Sequence, residues 1–256
     1  MILSYEHLDS TNRVARELVL DGCASGTVVQ AASQSSGRGQ HGRVFSSPVG
    51  GLYFTLVLVP DLPLSGLPLA TLATGLACRE TILAMTGLRP WIKWPNDLYL
   101  EHRKVAGILC ESVILPGEGQ PARVLVGVGV NVNSRVNDFP REVRPIVTTL
   151  REHVSEPLDL QELLPRFVQS ISSRVAMLRD TRAAVLAEWQ QYDYLVGKNI
   201  VCTTGSSVRE GVAAGLGADG RYCLRDAEGA VHEVIGGQLR LRSAWVRENK
   251  SDSHHV

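Results

Sequence analysis

A charge excess of either sign and a long apolar segment are both missing from this sequence. Its 256 residues include 26 basic and 26 acidic side chains, so the formal net charge is zero. A neutral total gives no broad attraction to nucleic acid or to an anionic membrane. The longest apolar runs, such as residues 52–60, are too short to span a bilayer, and the N-terminus lacks the pattern of a signal peptide. We therefore expect neither a DNA partner nor a membrane partner.

Cysteine is also scarce and irregularly placed. The five cysteines are odd in number and form no CxxC pair, which argues against metal ligation and against a disulfide framework. We interpret them as reduced thiols, which predicts a cytoplasmic protein. A hydrophobic content of 44% is enough for the core of one large domain, or of a large domain plus a small one.

Apolar periodicity predicts helices and strands that alternate over most of the chain. Helices are expected after residues 9–12 up to Gly22, over 69–83 with Gly87 as terminator, over 160–178, and over 182–192. Pro165 is expected to kink or split the third of these helices. Strands are expected at 27–32, 52–59, just before Pro95, at 105–115 and at 123–132, with a hairpin loop at 116–119.

The pattern changes after Gly197, where short strand-like pieces alternate with glycine-containing turns. This spacing is typical of a small β-barrel. We predict a first domain over residues 1–194 and a second over 195–245. The polar tail at 246–256 is predicted to be disordered.

A glycine-rich loop with two arginines is the first candidate for chemistry. Residues 37–43 read GRGQHGR. Glycines free the backbone to present N–H groups at close range, and arginines bind carboxylate or phosphate oxygens. The loop therefore predicts closure over an anion. A solvated surface loop with glycine turns remains an alternative, and the stretch is neither a Walker A nor a GxGxxG motif.

Two lysines near a predicted turn form the second candidate. Lys93 precedes Trp94-Pro95, and Lys104 follows eleven residues later, so a hairpin between them would bring the two together. An ordinary hairpin with two exposed lysines is the alternative. Further on, GVGVN at residues 127–131 predicts a strand whose glycines let a ligand or another backbone approach closely.

Taken together, these stretches resemble the biotin–protein ligases. The similarity covers roughly residues 8–242 and consists of DSTN, GRGQHGR, KWPNDLYL, RKVAGILCE, GVGVNVN and GGQLRLR in the family's order. KWPND followed by RKxAGIL, downstream of GRGxxGR, is the most specific part. The resemblance implies an α/β (α+β) fold, with a mixed β-sheet catalytic domain of the biotin/lipoate ligase type followed by a small SH3-like β-barrel.

The same resemblance implies a two-step ligase reaction. Biotin, ATP and Mg²⁺ give biotinyl-5′-adenylate and pyrophosphate. The biotinyl group then passes to one lysine of a biotin carboxyl carrier protein or domain, typically that of acetyl-CoA carboxylase.

Residue roles follow from the resemblance, position by position. The implied catalytic residues are Lys104, Arg38 and Asp97. The implied biotin contacts are Ser10, Thr11, Asn12, Gln34, Arg38, Gly39, Gln40, Lys104 and Gly107. The implied ATP contacts are Arg43, Lys93, Trp94, Asn96, Asn131 and Arg242. No metal ligand is assigned, although Asp97 is the position near which Mg²⁺ is expected, and it is also the candidate to orient or deprotonate the acceptor lysine.

Departures from the family pattern carry their own expectations. Gln40 stands where many relatives have arginine, which predicts weaker retention of the adenylate. The ligase pattern begins at residue 9, so a ligase without the DNA-binding domain and repressor role of bifunctional relatives is expected. Homodimer formation is left open. Two other classes remain, namely a lipoate or octanoate ligase or transferase and a non-enzymatic binder of biotin or nucleotide.

Overall fold

The computed structural model describes residues 1–116, 121–234 and 236–243, apart from the side chain of residue 64. The chain divides into two compact units, Met1–Val185 and Leu186–Val256. Most of the expected hairpin loop at 116–119 and the whole expected tail at 246–256 lie outside the described residues. The domain limits expected from the sequence, 194 and 245, stay a prediction.

A seven-stranded mixed sheet forms the first unit. Its elements are β1 Ile2–Tyr5, α1 Thr11–Leu20, β2 Val28–Ala31, β3 Leu52–Leu58, α2 Leu69–Thr86, β4 Trp91–Lys93, β5 Asp97–Leu100, β6 Arg103–Val113, β7 Arg123–Val130 and the start of α3 Leu160–Gln190. The strand order is β1-β2-β3-β7-β6-β5-β4, in which β1 and β2 are parallel and the other pairs are antiparallel. The predicted mixed α/β sheet is thereby confirmed.

Helices pack against both faces of this sheet. Successive side chains of a strand project to opposite faces, so each face presents apolar side chains to a helix. Ala15 and Val19 of α1 pack in a buried cluster with Val57 of β3. Phe54, three residues earlier in β3, points the opposite way and meets Phe167 of α3, with ring centroids 6.2 Å apart. The interior strands are therefore buried on both sides. On the face against which α1 packs, here called the α1 face, only the part of the sheet that the helix does not cover is available for a site.

Local signals account for the ends of α1 and α2. Ser10 has extended backbone angles before α1 begins. Gly87 follows the last turn of α2 with φ at +74°, a left-handed conformation in which its N–H donates to the carbonyl of Leu83. Both helices lie where apolar spacing predicts them.

The split expected at Pro165 is wrong, and a kink there stays a prediction. Helix α3 continues through this proline, and its backbone departs from helical angles at Thr181 instead, with φ −127° and ψ 31°. Pro165 lies near the start of the helix, so the missing N–H removes a single hydrogen bond, and the following turns continue. The two helices expected at 160–178 and 182–192 are thereby confirmed as two helical segments that meet at the kink at Thr181.

The second unit contains a five-stranded antiparallel sheet. Its strands are β8 Asn199–Thr204, β9 Ser207–Leu216, β10 Tyr222–Arg225, β11 Val231–Val234 and β12 Gln238–Leu241, in the order β11-β10-β9-β8-β12. This confirms the predicted β-domain of SH3-like type, and closure of the sheet into a barrel stays a prediction.

A buried polar pair stabilises this second unit. The hydroxyl of Tyr222, which is fully buried, donates to Oδ2 of Asp193 at 2.6 Å, and the N–H of Leu195 donates to Oδ1 at 2.8 Å. Burial raises the pKa of the Asp193 carboxyl above its usual value, and the two hydrogen bonds oppose this shift. The pair is therefore sensitive both to substitution and to pH.

Five cysteines are free thiols, and burial raises the pKa of Cys110 to about 11.

None of the helices in the described part of the chain combines the length and apolar character that a membrane crossing requires.

Candidate active site

A row of paired residues crosses the sheet on the α1 face. Tyr53 pairs with Gly129, Gly129 with Gly107, Gly107 with Asp97, and Asp97 with Lys93. Directly paired residues of antiparallel strands project their side chains to the same face. The two glycines leave the centre of the row bare, while a carboxylate and an ammonium group stand at one end of it.

A β-bulge brings Lys104 to this same face. Leu98 pairs with Ala106, but the next residue, Tyr99, pairs with Lys104, so Val105 is one extra residue in β6. If β6 paired regularly over this stretch, with Val105 opposite Tyr99, Lys104 and Gly107 would project to opposite faces, because side chains alternate along a strand. Bulges commonly redirect a side chain beside a functional site. The structure thus places Lys93 and Lys104 on one face, as a hairpin arrangement would.

Lys104 forms an ion pair with Asp97, the carboxylate of the row. Its Nζ lies 2.5 Å from Oδ1 of Asp97, and both side chains are about three-quarters shielded from solvent, with 26% and 21% exposed. The same Nζ lies 5.4 Å from the ring centroid of Phe45, within range of a cation–π contact. On the neighbouring hairpin, Nζ of Lys93 lies 3.4 Å from the hydroxyl of Tyr99.

Phe45 covers the bare centre of the row. A Cβ atom on Gly107 would lie 2.8 Å from Cε2 of the Phe45 ring, and one on Gly129 would overlap Cε1 of that ring. Tyr53 meets Phe45 edge-on, with ring centroids 6.4 Å apart. Glycine is therefore required at both positions for an aromatic ring, or a flat ligand, to lie against the peptide backbone.

The loop predicted to close on an anion leads directly into Phe45. The N–H of Gly39 donates to the carbonyl of Arg43 at 2.7 Å, and that of Phe45 to the carbonyl of Gly37 at 2.8 Å. Between them, residues 40–42 form a short 3₁₀ turn in which Gln40 is half-buried and His41 has a left-handed backbone. The side chains of Arg38 and Arg43 are exposed. Their contacts with an anion stay a prediction.

Thr11 and Gln34 connect the start of α1 to this loop. The backbone N–H and the hydroxyl of Thr11 both point at Oε1 of Gln34, at 2.9 and 3.2 Å. Nε2 of Gln34 donates to Oγ of Ser47 at 2.9 Å, and that hydroxyl donates to the carbonyl of Phe45 at 3.0 Å. Ser10, beside Thr11, is also buried. Of the side chains predicted to contact biotin, Thr11 and Gln34 are thus held in one connected network.

Asn12 extends the network into the sheet. Its Oδ1 lies 2.5 Å from Oγ1 of Thr55, and its Nδ2 donates to Oε2 of Glu111 at 2.8 Å. A Cβ on Gly127 would overlap Oδ1 of Asn12, so this glycine makes room for the amide. Both glycines of the GVGVN strand therefore permit a close approach, Gly127 by Asn12 and Gly129 by Phe45.

Two further predicted ATP contacts are buried amides. Nδ2 of Asn96 donates to the carbonyl of Ile108 at 2.7 Å, and Nδ2 of Asn131 donates to that of Thr148 at 3.0 Å. Oδ1 of Asn131 is buried without a hydrogen-bond partner, which leaves an acceptor open for a ligand or an internal water. Half-buried Trp94 precedes Pro95 through a cis peptide bond.

Arg242, the remaining predicted ATP contact, belongs to the second unit. Its Nε lies 2.9 Å from Oε2 of Glu210, and its side chain is 60% exposed. Its contact with ATP stays a prediction.

Thr55 and Glu111 belong to the site although no sequence motif singled them out. Thr55 is the one polar residue in the seven-residue strand LYFTLVL, which is buried throughout, and Glu111 follows the apolar run AGILC. An isolated polar residue in an apolar strand must find a buried partner, and this was the signal available. Their partner, Asn12, lies 43 and 99 positions away, which no local pattern reveals.

Comparison with known proteins gives a consistent result. Residues 4–131 match the model of the biotin/lipoate A/B protein ligase family. The bifunctional ligase/repressor BirA of Bacillus subtilis is 31% identical over 94% of this chain and 74% of that protein. The biotin–[acetyl-CoA-carboxylase] ligase of Paracoccus denitrificans is also 31% identical, over 86% of this chain and 92% of that protein.

Solved structures agree. The biotin protein ligase of Aquifex aeolicus in complex with biotin and ATP superposes with a TM-score of 0.80 at 28% identity, over 94% of this chain and 98% of that one. The predicted resemblance to biotin–protein ligases and the predicted enzyme class, a ligase, are both confirmed. The chain belongs to the biotin/lipoate A/B protein ligase family.

Proposed function

We propose that this protein activates biotin with ATP to biotinyl-5′-adenylate and then transfers the biotinyl group to a lysine of a biotin carboxyl carrier protein, such as that of acetyl-CoA carboxylase. The observation that carries the proposal is the position of Lys104, which the β-bulge turns onto the glycine-lined face beside Asp97. The Aquifex relative, whose structure is a complex with biotin and ATP, supports the choice of substrates. The name of the Paracoccus relative supports the choice of acceptor.

The first step brings two anions together. A carboxylate oxygen of biotin attacks the α-phosphorus of ATP, the new O–P bond forms, and pyrophosphate leaves with the electrons of the broken P–O bond. Fixed cations lower the energy of this encounter because they are in place before charge accumulates. Lys104 is assigned to the biotin carboxylate, and Lys93, on the same face, to the phosphates together with Arg38 and Arg43.

The second step transfers the acyl group. A neutral lysine amine of the carrier attacks the acyl carbon, a C–N bond forms, and AMP leaves with the oxygen that came from biotin. The amine must lose protons, since lysine is normally charged at neutral pH. Asp97 is assigned to orient the amine and accept a proton, because it is the carboxylate that lies on this face beside Lys104.

Magnesium fits the same end of the row as a nucleotide-bound ion. Within the described residues, no group of three or more His, Cys, Asp or Glu side chains could hold a metal by itself. Mg²⁺ in nucleotide sites typically takes one or two carboxylates plus phosphate oxygens, so a single Asp97 is compatible with it. When bound, the ion would offset the negative charge of the phosphates.

The glycine-rich loop is assigned to protect the intermediate. Acyl adenylates are hydrolysed readily, so a loop that orders over the site and excludes water preserves them. Gly39 directly precedes the 3₁₀ turn that begins at Gln40, and Phe45, which follows this turn, already contacts the bare glycines. Ordering of this loop would extend that cover over the ligand.

Mass spectrometry tests the proposal directly. The purified chain is incubated with ATP, Mg²⁺, biotin and an apo carrier domain, and we expect one biotinyl group on one carrier lysine. Parallel reactions replace biotin by lipoate or octanoate, and pyrophosphate exchange is measured with each acid. Exchange driven by lipoate and not by biotin would overturn the proposal, as would binding of biotin without any turnover.

The proposal is limited to ligation. It includes no repressor role, because a formal net charge of zero offers no general attraction to DNA. A gel shift with the DNA upstream of biotin-related genes tests this point, and a salt-sensitive shift would contradict it. Location in the cytoplasm stays a prediction, and a homodimer is not part of the proposal.

A further inference from the structure

The amide group of Asn12 is held at both of its ends. Thr55 meets its oxygen at 2.5 Å, while its nitrogen donates to Glu111 at 2.8 Å and to the carbonyl of Leu109 at 3.4 Å. Asn12 is only 6% exposed and Thr55 is fully buried. The orientation of a buried amide is set by such partners.

The chemistry of the partners permits only one orientation. A carboxylate and a backbone carbonyl accept hydrogen bonds, so the Asn12 atom that faces them must be Nδ2. The hydroxyl of Thr55 must then donate to Oδ1, which is solely an acceptor, and its oxygen also lies 2.9 Å from the hydroxyl of Thr11. In the reversed orientation, Oδ1 of Asn12 would face the carboxylate of Glu111, and two acceptors would meet in a buried site.

Glu111 is itself anchored from the opposite side. Nη2 of Arg16 lies 3.2 Å from Oε1 of Glu111, leaving Oε2 for Asn12. Arg16 lies on α1 one turn beyond Asn12, and its side chain is 41% exposed. The ion pair therefore faces solvent, and its strength alone contributes little.

We propose that Glu111 and Thr55 are positioning residues for binding of the acid substrate. They act through Asn12, because together they fix which end of its amide is presented to the site. With both N–H groups of Nδ2 directed to Glu111 and Leu109, the remaining hydrogen-bonding capacity of this amide is acceptor capacity on Oδ1. That polarity suits a ligand that presents an N–H group, as the cyclic urea of biotin does. The inference rests on the proposed function, since biotin is the ligand used to test it.

Two pairs of variants isolate the positioning effect. Thr55→Val removes the hydroxyl with little change of shape, and Thr55→Ser restores it. Glu111→Ala removes the acceptor for Nδ2, and Glu111→Gln restores an acceptor oxygen. We expect Thr55→Val and Glu111→Ala each to raise KM for biotin about tenfold, the equivalent of one hydrogen bond. KM for ATP and kcat in pyrophosphate exchange should stay within about twofold of wild type.

Matched controls separate positioning from stability and from charge. Thr74→Val removes another fully buried hydroxyl, which donates to the carbonyl of Ala70 within α2, and KM for biotin should not change. Arg16→Met removes the exposed partner of Glu111 and leaves the bond to Asn12 in place. Thermal unfolding of each variant identifies any change that merely reflects loss of folded protein.

A coupling measurement decides the question. If Glu111 and Thr55 act through Asn12, then Glu111→Ala and Thr55→Val should each have no further effect on KM for biotin in an Asn12→Ala background, whereas a further effect of Thr55→Val alone would place its action on Thr11. Additive effects in the double variant would overturn the inference. So would an unchanged KM in both Thr55→Val and Glu111→Ala, or an equal rise in Arg16→Met. Failure of the proposed function would look different, because wild type itself would then show no exchange with biotin.

Discussion

Nζ of Lys104 lies 2.5 Å from Oδ1 of Asp97 on the glycine-lined face of the sheet. The ammonium group thus has an anionic partner before any substrate arrives. A carboxylate that reaches Lys104 must share it with Asp97 or displace that residue. Since Asp97 is also assigned to the acceptor lysine, release from Lys104 would make its carboxylate available for the second step.

Replacement of Lys104 by alanine should leave a folded protein that has lost adenylation. Removal of one preorganised charged group from the reacting centre typically lowers kcat by about 100-fold or more. Biotin-dependent pyrophosphate exchange measures the loss. Arg166→Ala is the matched control, because Arg166 is an exposed cation paired with Glu162 on α3. Exchange at wild-type rate in Lys104→Ala would refute the role assigned to this lysine.

Asp97→Asn should separate the two steps. An amide keeps the size of the side chain but cannot take a proton, so we expect transfer to the carrier to slow more than adenylation does. Single-turnover transfer from preformed biotinyl-5′-adenylate is compared with pyrophosphate exchange for the same variant. An equal fall in both rates would instead place Asp97 in the first step.

An alanine at Gly129 should destabilise the fold and disturb the site. Its Cβ would overlap the Phe45 ring, and strain of this kind typically lowers the free energy of unfolding by about 1–3 kcal/mol. Gly66→Ala is the control, since its Cβ would meet neighbours only at 3.6 Å and beyond. Urea unfolding measures both. Equal stability of the two variants would show that Phe45 moves aside freely.

Tyr222→Phe should destabilise the second unit, and more so at neutral than at acidic pH. Burial raises the pKa of Asp193 in the folded protein, so the stability linked to its proton is present at low pH and is lost as pH rises through the folded pKa. The Tyr222 hydroxyl donates to the ionised carboxylate, and its removal leaves that group buried with one bond fewer. We expect a loss of about 1–3 kcal/mol at neutral pH, and a smaller loss once Asp193 is protonated.

Hydrogen exchange of the amides in β8 to β12 reports this effect at each pH. Tyr5→Phe provides the control, because Tyr5 is an exposed tyrosine of β1 in the other unit. If the loss of stability in Tyr222→Phe did not depend on pH, the contribution of the hydroxyl would be independent of the ionisation of Asp193.

Gln40→Arg should reduce labelling of bystander proteins. An arginine in the loop supplies a cation for the adenylate, so the intermediate should be retained longer before it can react in solution. Blotting of a mixture of non-acceptor proteins after incubation with wild type and with Gln40→Arg measures the background. His41→Arg, which adds the same charge one position along, should have no such effect. Equal background in wild type and Gln40→Arg would remove the idea.

Sequence patterns predicted the parts of the fold that depend on near neighbours. The helix that ends at Gly87, the strand at Leu52–Leu58 and the glycine-permissive strand β7 follow from capping, apolar spacing and chain flexibility. Pro165 misled the prediction because a local rule was applied to a helix that tertiary packing sustains.

The site was predicted through motifs rather than through geometry. Recognition of KWPND and RKxAGIL placed Lys104 and Asp97 in one site, but not in contact with each other. Glu111 and Thr55 were missed because their role depends on a partner brought near only by folding. Pairing across such distances is a property of the sheet register, which sequence periodicity does not specify.

Because β6 contains one extra residue, the pairing register of this strand decides whether Lys104 reaches the site. Residues three apart in a regular strand project in opposite directions, and Lys104 shares a side with Gly107 only because Val105 stands outside the pairing. If Val105 instead paired with Tyr99, Lys104 would lie opposite Leu100 and face the α2 and α3 side of the sheet, although no functional group would have changed. The pairing register of β6 between Arg103 and Ala106 is therefore as essential as the identity of these residues.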